Sequence, residues 1–153
     1  MTEFESINIS EFVNDIYKGF VHVCTHKKID FQLTNNIPEN TIVNADSQQL
    51  RQVFHNILSN CVRHVPHNGN ISLISDYDIE TGNVLISIAD NGPGISDTHK
   101  RAVFEKFSTN AKGKQSGVGL GLYICRRILE SHHGKIWVED NDPQGARFIF
   151  RFC

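Results

Sequence analysis

The hydrophobic positions along the chain repeat with two periods, which separates predicted helices from predicted strands. Apolar residues at helical spacing predict three helices, at residues 9–24, 46–65 and 120–132. Alternating apolar and polar residues predict short strands, at residues 29–33, 41–43, 71–77, 84–89, 135–139 and 146–152. Elements in this order can form one mixed, mostly antiparallel sheet of about five strands, covered on one face by three helices. The predicted fold class is therefore α/β, a two-layer sandwich.

Single residues predict where the helices begin and end, and which face of the sheet is aromatic. Ser10 is suited to cap the first helix, and either Asp46 or Ser47 is suited to start the second. Gly134 fits the position just past the third helix. The last predicted strand carries three alternating aromatic residues, Phe148, Phe150 and Phe152. One face of the sheet should therefore be aromatic.

The composition is that of one ordinary globular domain spanning residues 1–153, with 39% hydrophobic and 21% charged residues. A formal net charge of −2 gives no reason to expect nucleic acid or an anionic membrane surface as a partner. No apolar run approaches the roughly 20 residues of a membrane-spanning helix, so no direct membrane contact is expected. The four cysteines stand far apart in sequence, which favours free thiols in the cytoplasm.

The second predicted helix has an unusual polar face opposite its apolar stripe. This face carries Gln49, Gln52, Asn56, Asn60 and Arg63. Asparagine is a poor helix former, and the i, i+4 spacing of Asn56 and Asn60 aligns two neutral oxygen ligands. Mg²⁺ prefers oxygen ligands and shares them with substrate phosphates. The pattern indicates a magnesium-phosphate site, and a simple solvated face is the alternative.

Two glycine-rich segments flank a long polar stretch. Asp90 directly follows a predicted strand and could accept a hydrogen bond from the amine of a base, while Gly92 and Gly94 permit close backbone approach. A plain turn is the alternative there. The second segment, residues 117–121, precedes a helix whose free N–H groups suit phosphate. It is neither a P-loop nor a Rossmann fingerprint, because the chain has no GxxxxGK[ST] and residue 122 is leucine.

Between these segments lies a short aromatic motif, Phe104 to Phe107, which could anchor a mobile lid. Few apolar residues follow it, so residues 108–116 are expected to be mobile without nucleotide. Three lysines on this segment, Lys106, Lys112 and Lys114, could approach phosphates or remain solvated.

In this order the motifs resemble the catalytic domain of sensor histidine kinases, and the likeness runs from about residue 9 to residue 152. Residues 56–63 resemble the asparagine box, residues 90–94 the DxGxG box, residues 104–107 the phenylalanine box and residues 117–124 the second glycine box. The resemblance implies the Bergerat ATP-binding fold with a mobile ATP lid, and ATP and Mg²⁺ as cofactors.

The resemblance also implies residue roles. Asn60 would coordinate Mg²⁺ and Asn56 would support the phosphates or the metal. Arg63 stands in place of a phosphate-contacting lysine, and His64 in place of a ring that packs on the nucleotide. Asp90 would bind the adenine amine, with Gly92 and Gly94 shaping the base pocket. The triphosphate and lid positions would be Gly117, Gly119 and Gly121. Further nucleotide-binding positions are Ile95, Phe104, Lys106, Phe107, Val118, Leu120 and Leu122.

Two departures from the family pattern qualify these expectations. Ala146 replaces a common threonine or serine, which removes a hydroxyl contact near adenine. The family's phosphoacceptor helix, with a His-Glu pair, is missing. The chain is therefore expected to be the catalytic part of a longer kinase, with the dimerisation helices before Met1. Alone it should be monomeric and inactive for autophosphorylation, and its parent could be membrane-anchored.

The expected function is transfer of the γ-phosphoryl group of Mg²⁺·ATP to a histidine on a separate dimerisation domain, and indirectly to a response regulator. Hydrolytic relatives carry a glutamate where this chain has Asn56, which favours a kinase over an ATPase. Two alternatives stay open, an anti-sigma-type serine kinase of the same fold and a non-catalytic ATP-binding or docking module.

Overall fold

The computed structural model describes residues 2–105 and 119–153. Its helices are α1 (Ile9–His26), α2 (Ser47–His64) and α3 (Gly119–Ser131), with a 3₁₀ turn at Ala102–Phe104. Its strands are β1 (Glu5–Asn8), β2 (Asp30–Asn35), β3 (Ile42–Ala45), β4 (Asn70–Tyr77), β5 (Val84–Asp90), β6 (Lys135–Asp140) and β7 (Ala146–Phe152). None of the helices in these two ranges is long and apolar enough to cross a membrane.

The main sheet has five strands in the order β2-β4-β5-β7-β6. Strands β2 and β4 are parallel, and the other three pairs are antiparallel. The predicted mixed, mostly antiparallel sheet is confirmed. A second antiparallel pair joins β1 to β3, so the predicted strand at 41–43 lies outside the main sheet.

The core lies between the sheet and the helices, on the aromatic face of β7. Phe148, Phe150 and Phe152 are fully buried. The ring of Phe54 on α2 meets Phe150 edge to face, with centroids 5.1 Å apart. Pairs of this geometry add about 0.5–1.5 kcal/mol beyond the burial of their area. The alternation seen in the sequence therefore predicts the correct face.

The N-cap predicted for α1 is wrong by two residues. Asn8, the last residue of β1, caps the helix by accepting a hydrogen bond from the Glu11 main-chain N–H at 3.2 Å. Ser10 lies inside the first turn and is buried. The cap of α2 is Asp46, one of the two residues predicted, and it accepts from the Gln49 N–H at 3.1 Å.

The end of α3 is fastened to the start of α2 by a buried histidine. His132 is fully buried, and its Nε2 accepts the Asp46 main-chain N–H at 3.0 Å. Its Nδ1 lies 2.8 Å from the Ile128 carbonyl oxygen, so the neutral ring carries its proton on Nδ1. This link fixes the two helices that carry the candidate site.

Gly134 takes part in the C-cap of α3, but it is not the residue with left-handed backbone. The residue with left-handed backbone is His133, with φ of 58°. Gly134 donates its N–H to the Leu129 carbonyl at 2.7 Å, as in a Schellman motif. A Cβ at Gly134 would lie 1.9 Å from the Arg151 carbonyl oxygen. Glycine is needed there because it leads directly into β6, whose first residue Lys135 pairs with Arg151 of β7.

Candidate nucleotide-binding site

The polar face of α2 forms one wall of the candidate site. Asn60 is buried, with 6% of its surface exposed, and its Oδ1 has no hydrogen-bond partner in the described part of the chain. An unpartnered buried carbonyl costs about 1–3 kcal/mol. It is also a neutral oxygen of the kind that Mg²⁺ accepts as a ligand. The residue present therefore fits a magnesium ion that shares its other ligands with phosphates and water.

Asn56 links α2 to the first turn of α3. Its side-chain Nδ2 donates to the Gly121 carbonyl oxygen over 3.2 Å. A Cβ at Gly121 would lie 3.7 Å from the Asn56 amide, an ordinary contact. The asparagine face and the second glycine box, far apart in sequence, are thus neighbours, as a site shared by the two motifs requires.

Asp90 ends β5 and is held by main-chain donors. It is 4% exposed, and its Oδ1 accepts from the N–H of Gly92 at 2.9 Å and of Ala146 at 3.3 Å. Both donors reach the same oxygen, which leaves Oδ2 for a further donor. Burial raises the pKa of the neighbouring Cys61 thiol well above its usual range, and the Asp90 charge adds to the shift. The thiol therefore stays protonated beside the carboxylate.

The turn between β6 and β7 fastens the Asp90–Gly94 segment from the outside. The Asn141 side-chain amide donates to the Asp90 carbonyl at 2.9 Å, and the Gln144 amide donates to the Gly92 carbonyl at 3.1 Å. Gly145 has φ of 112°. Sequence reasoning did not identify Asn141 or Gln144 as part of the site, because only the pairing of β5 with β7 places them there.

Close contacts explain why Gly92 and Gly94 of the DxGxG segment are glycines. A Cβ at Gly92 would lie 2.9 Å from the His64 carbonyl oxygen. Gly94 has φ of 79°, and a Cβ there would approach the Gly145 carbonyl to 3.1 Å. Side chains at these positions would push the segment off the end of α2 and off the β6–β7 turn.

Two exposed residues, Arg63 and His64, close α2. Partial burial of the His64 ring lowers its pKa, the Arg63 charge adds to this, and the Asp90 carboxylate opposes it. Arg63 stands seven residues after Asn56, which keeps it close to the same face of the helix. Its side chain also lines a groove between α1 and α2.

The remaining predicted positions fall into two groups. Phe104 is buried and meets Phe148 edge to face at 6.2 Å, Leu122 is buried, and Ile95 packs against the core. The Phe104 ring is therefore fixed to the sheet at this end of the aromatic motif. Gly119 and Leu120 open α3. Lys106, Phe107, Gly117, Val118, the lid lysines Lys112 and Lys114, and the proposed lid 108–116 lie outside the described residues.

An ion pair holds the loop that leads from Gly94 towards Phe104. Lys100 Nζ contacts the Asp97 carboxylate, and it lies 2.9 Å from Asp140 Oδ1 at the end of β6. Exposed pairs of this kind contribute little to stability. The pair ties this loop to the end of β6, next to Asn141.

Comparison with known proteins agrees with this geometry. The sequence model of the family described as histidine kinase-, DNA gyrase B-, and HSP90-like ATPase matches residues 45–153. The chain belongs to this family. The match covers both glycine boxes, the asparagine face and the aromatic motif.

The similar proteins are histidine kinases. The adaptive-response sensory kinase SasA of Synechocystis sp. (strain PCC 6803) is 37% identical over 125 residues, which are 80% of this chain and 32% of that protein. The chain thus spans about a third of the length of this relative. The solved catalytic domain of histidine kinase ThkA superposes with a TM-score of 0.83 at 33% identity, covering 98% of this chain and 96% of that one. ThkA in complex with the response regulator protein TrrA gives a TM-score of 0.81 at 32% identity, covering 99% and 42%.

Proposed function

We propose that this chain is the catalytic domain of a sensor histidine kinase, which binds Mg²⁺·ATP and passes the γ-phosphoryl group to a histidine on a separate dimerisation domain. The single observation that carries the proposal is the buried, unpartnered Oδ1 of Asn60. It stands one turn from Asn56, which already contacts the glycine-box helix. An oxygen left without a partner in such a position is best explained by a ligand that supplies one.

Different elements would bind the adenine and the phosphates of the nucleotide. The free oxygen of Asp90 would accept the adenine amine, with Gly92, Gly94 and Ile95 around the base. Asn60 would hold Mg²⁺, and Asn56 would support the phosphates near the start of α3. When bound, Mg²⁺ neutralises charge on the phosphate oxygens. Arg63, close to the same face of α2 as Asn56, would add a positive charge near the phosphates.

Phosphoryl transfer depends mainly on positioning and on charge neutralisation, so the protein needs no strong base when the nucleophile is an imidazole from outside. Asn56 supports this, since its amide cannot take a proton from water and is engaged with Gly121. A domain with this arrangement is suited to transfer and poorly suited to rapid hydrolysis. This favours a kinase over an ATPase.

The cellular setting follows from the same proposal. SasA is named a sensory kinase, and ThkA has been solved with a response regulator. A response regulator would accordingly receive the phosphoryl group from the acceptor histidine, not from this domain. ATP would be drawn from the cytoplasm, which places the domain on that side of any membrane.

The test is to mix the purified chain with a separately produced histidine-containing helix pair and γ-labelled ATP. The proposal predicts acid-labile, base-stable label on the helix pair, the signature of phosphohistidine. The Asn60→Ala variant should lose the label, and Gln48→Ala, an exposed position in the first turn of the same helix, should keep it. Acid-stable label would indicate a serine kinase of the same fold. Nucleotide binding without any transfer would indicate a docking module.

A further inference from the structure

A groove of about 520 Å³ lies between α1 and α2, apart from the candidate nucleotide site. One side of the groove is lined by residues from Asp15 on α1 to Lys27 just past the end of that helix. The other side is lined by α2 residues from Arg51 to Arg63. Twelve residues of helix extend over ~18 Å. The groove is therefore long enough to hold about three turns of another helix.

The floor of the groove is apolar, with Ile16 and Val62 buried at its base and Phe20 and Val23 partly accessible to solvent. Ile16, Phe20 and Val62 line it, and Val23 leaves 44% of its surface exposed. The Phe20 ring lies 5.4 Å from the His55 ring across the groove. Burying such surface gains about 25 cal/mol per Å². An apolar floor between two helices is the kind of surface that accepts an amphipathic helix.

The walls of the groove are cationic. Three permanent positive charges line it, Lys27, Arg51 and Arg63, against one carboxylate, Asp15. Three positive charges minus one negative charge leave a local charge of +2, whereas the whole chain carries −2. This contrast selects for a partner with acidic residues beside its apolar ones.

Gly19 gives the second reason to expect an occupant. It lies in the middle of α1, where glycine is about 1 kcal/mol less favourable than alanine. A Cβ at this position would meet nothing within 4 Å, so packing within the fold does not require a glycine. A helix backbone lying close against α1 would meet that Cβ. The glycine is thus explained by an approach from outside.

We propose that this α1–α2 groove is a docking site for an acidic amphipathic helix of a partner protein. The inference goes beyond the proposed function, because it concerns a surface that the nucleotide does not occupy. The partner's apolar side chains would cover Phe20 and Val23, and its carboxylates would face Lys27 and Arg51. Nucleic acid is a poorer match because it has no apolar face to cover the floor. A second copy of this chain is a different occupant, which the experiment distinguishes.

The experiment is a selection from a phage-displayed library of 18-residue helical peptides whose charged positions are randomised without bias. The intact chain is the bait, and selected peptides are then measured by fluorescence anisotropy. The proposal predicts acidic amphipathic binders whose Kd rises at least ~10-fold in Arg51→Glu and in Gly19→Leu. The charge-matched control Lys18→Glu, on the same helix but outside the groove, should change the Kd by less than about twofold.

Four results would overturn the proposal: no selected binder, basic binders, binders unaffected by the groove variants, or a concentration-dependent dimer that Arg51→Glu abolishes. The last result would assign the groove to a second copy. ATP binding by the Arg51, Gly19 and Lys18 variants is measured in parallel and should stay within about twofold of the original chain. A failure of nucleotide binding in the unaltered chain would count against the proposed function and not against the groove.

Discussion

Gly145 and Asp90 touch so closely that a Cβ on Gly145 would lie 1.9 Å from the Asp90 main-chain oxygen. The position of the strand end that carries Asp90, the proposed adenine-binding carboxylate, is therefore set by the turn between β6 and β7. Gly145→Ala should displace Asp90 and raise the Kd for ADP at least ~10-fold.

Gly82 offers the matched control for this variant. It also has a positive φ, of 75°, but a Cβ there would meet nothing within 4 Å. Gly82→Ala should show only backbone strain, with ADP affinity within about twofold of the original chain. Titration calorimetry measures the ADP affinity of both variants. Equal affinities in the two variants would remove the β6–β7 turn from the site.

The Asn60→Ala variant should lose Mg²⁺-dependent ATP affinity without a comparable loss of folding stability. Because Asn60 Oδ1 has no partner in the described residues, its removal should not lower the free energy of unfolding as a typical buried truncation does. The Mg²⁺-dependent part of ATP affinity should be lost, while affinity measured in EDTA should change little. An equal loss of affinity with and without Mg²⁺ would detach Asn60 from the metal.

His132 and His133 are adjacent in sequence but should respond in opposite directions. His132→Ala leaves the buried Asp46 N–H without its acceptor and opens a cavity, so unfolding should become about 2–4 kcal/mol easier. His133→Gly removes a left-handed non-glycine residue and should stabilise the chain by up to about 1 kcal/mol. Urea denaturation of both variants measures the difference. A loss under about 0.5 kcal/mol for His132→Ala would contradict the assigned link.

The stability of the chain should depend on Asp46 at acid pH. Main-chain hydrogen bonds, chiefly from the Glu3 N–H, hold the pKa of Asp46 below its usual value. A carboxyl whose pKa is lower in the folded chain stabilises it above the unfolded pKa of about 3.9, and this is lost as pH falls through the folded pKa. Asp46→Asn keeps the cap without the charge. The two chains should differ in unfolding free energy at pH 7 and converge by about pH 2. A gap that stays constant with pH would contradict this.

Much of the site could be predicted from sequence because its motifs are local. The asparagine spacing on α2, the aspartate at the end of β5 and the alternating phenylalanines of β7 each follow from one element's periodicity. The hydrogen bond from the Asn141 side chain to the Asp90 main-chain carbonyl could not be predicted, because it forms only when β5 pairs with β7. Strand β1 was missed because its four residues are exposed or half-buried and show no alternation. For the same reason Asn8 was not recognised as the cap of α1.

The most direct test of the account is calorimetric titration of ATP and ADP into the original chain and into Asp90→Asn, with and without Mg²⁺. Asparagine can keep the Oδ1 acceptor for Gly92 and Ala146, so the fold should survive while the acceptor for the adenine amine is lost. The account predicts saturable binding that Mg²⁺ strengthens for ATP, and no measurable binding by the variant. Nucleotide affinity retained within a few-fold in Asp90→Asn would contradict the assigned site.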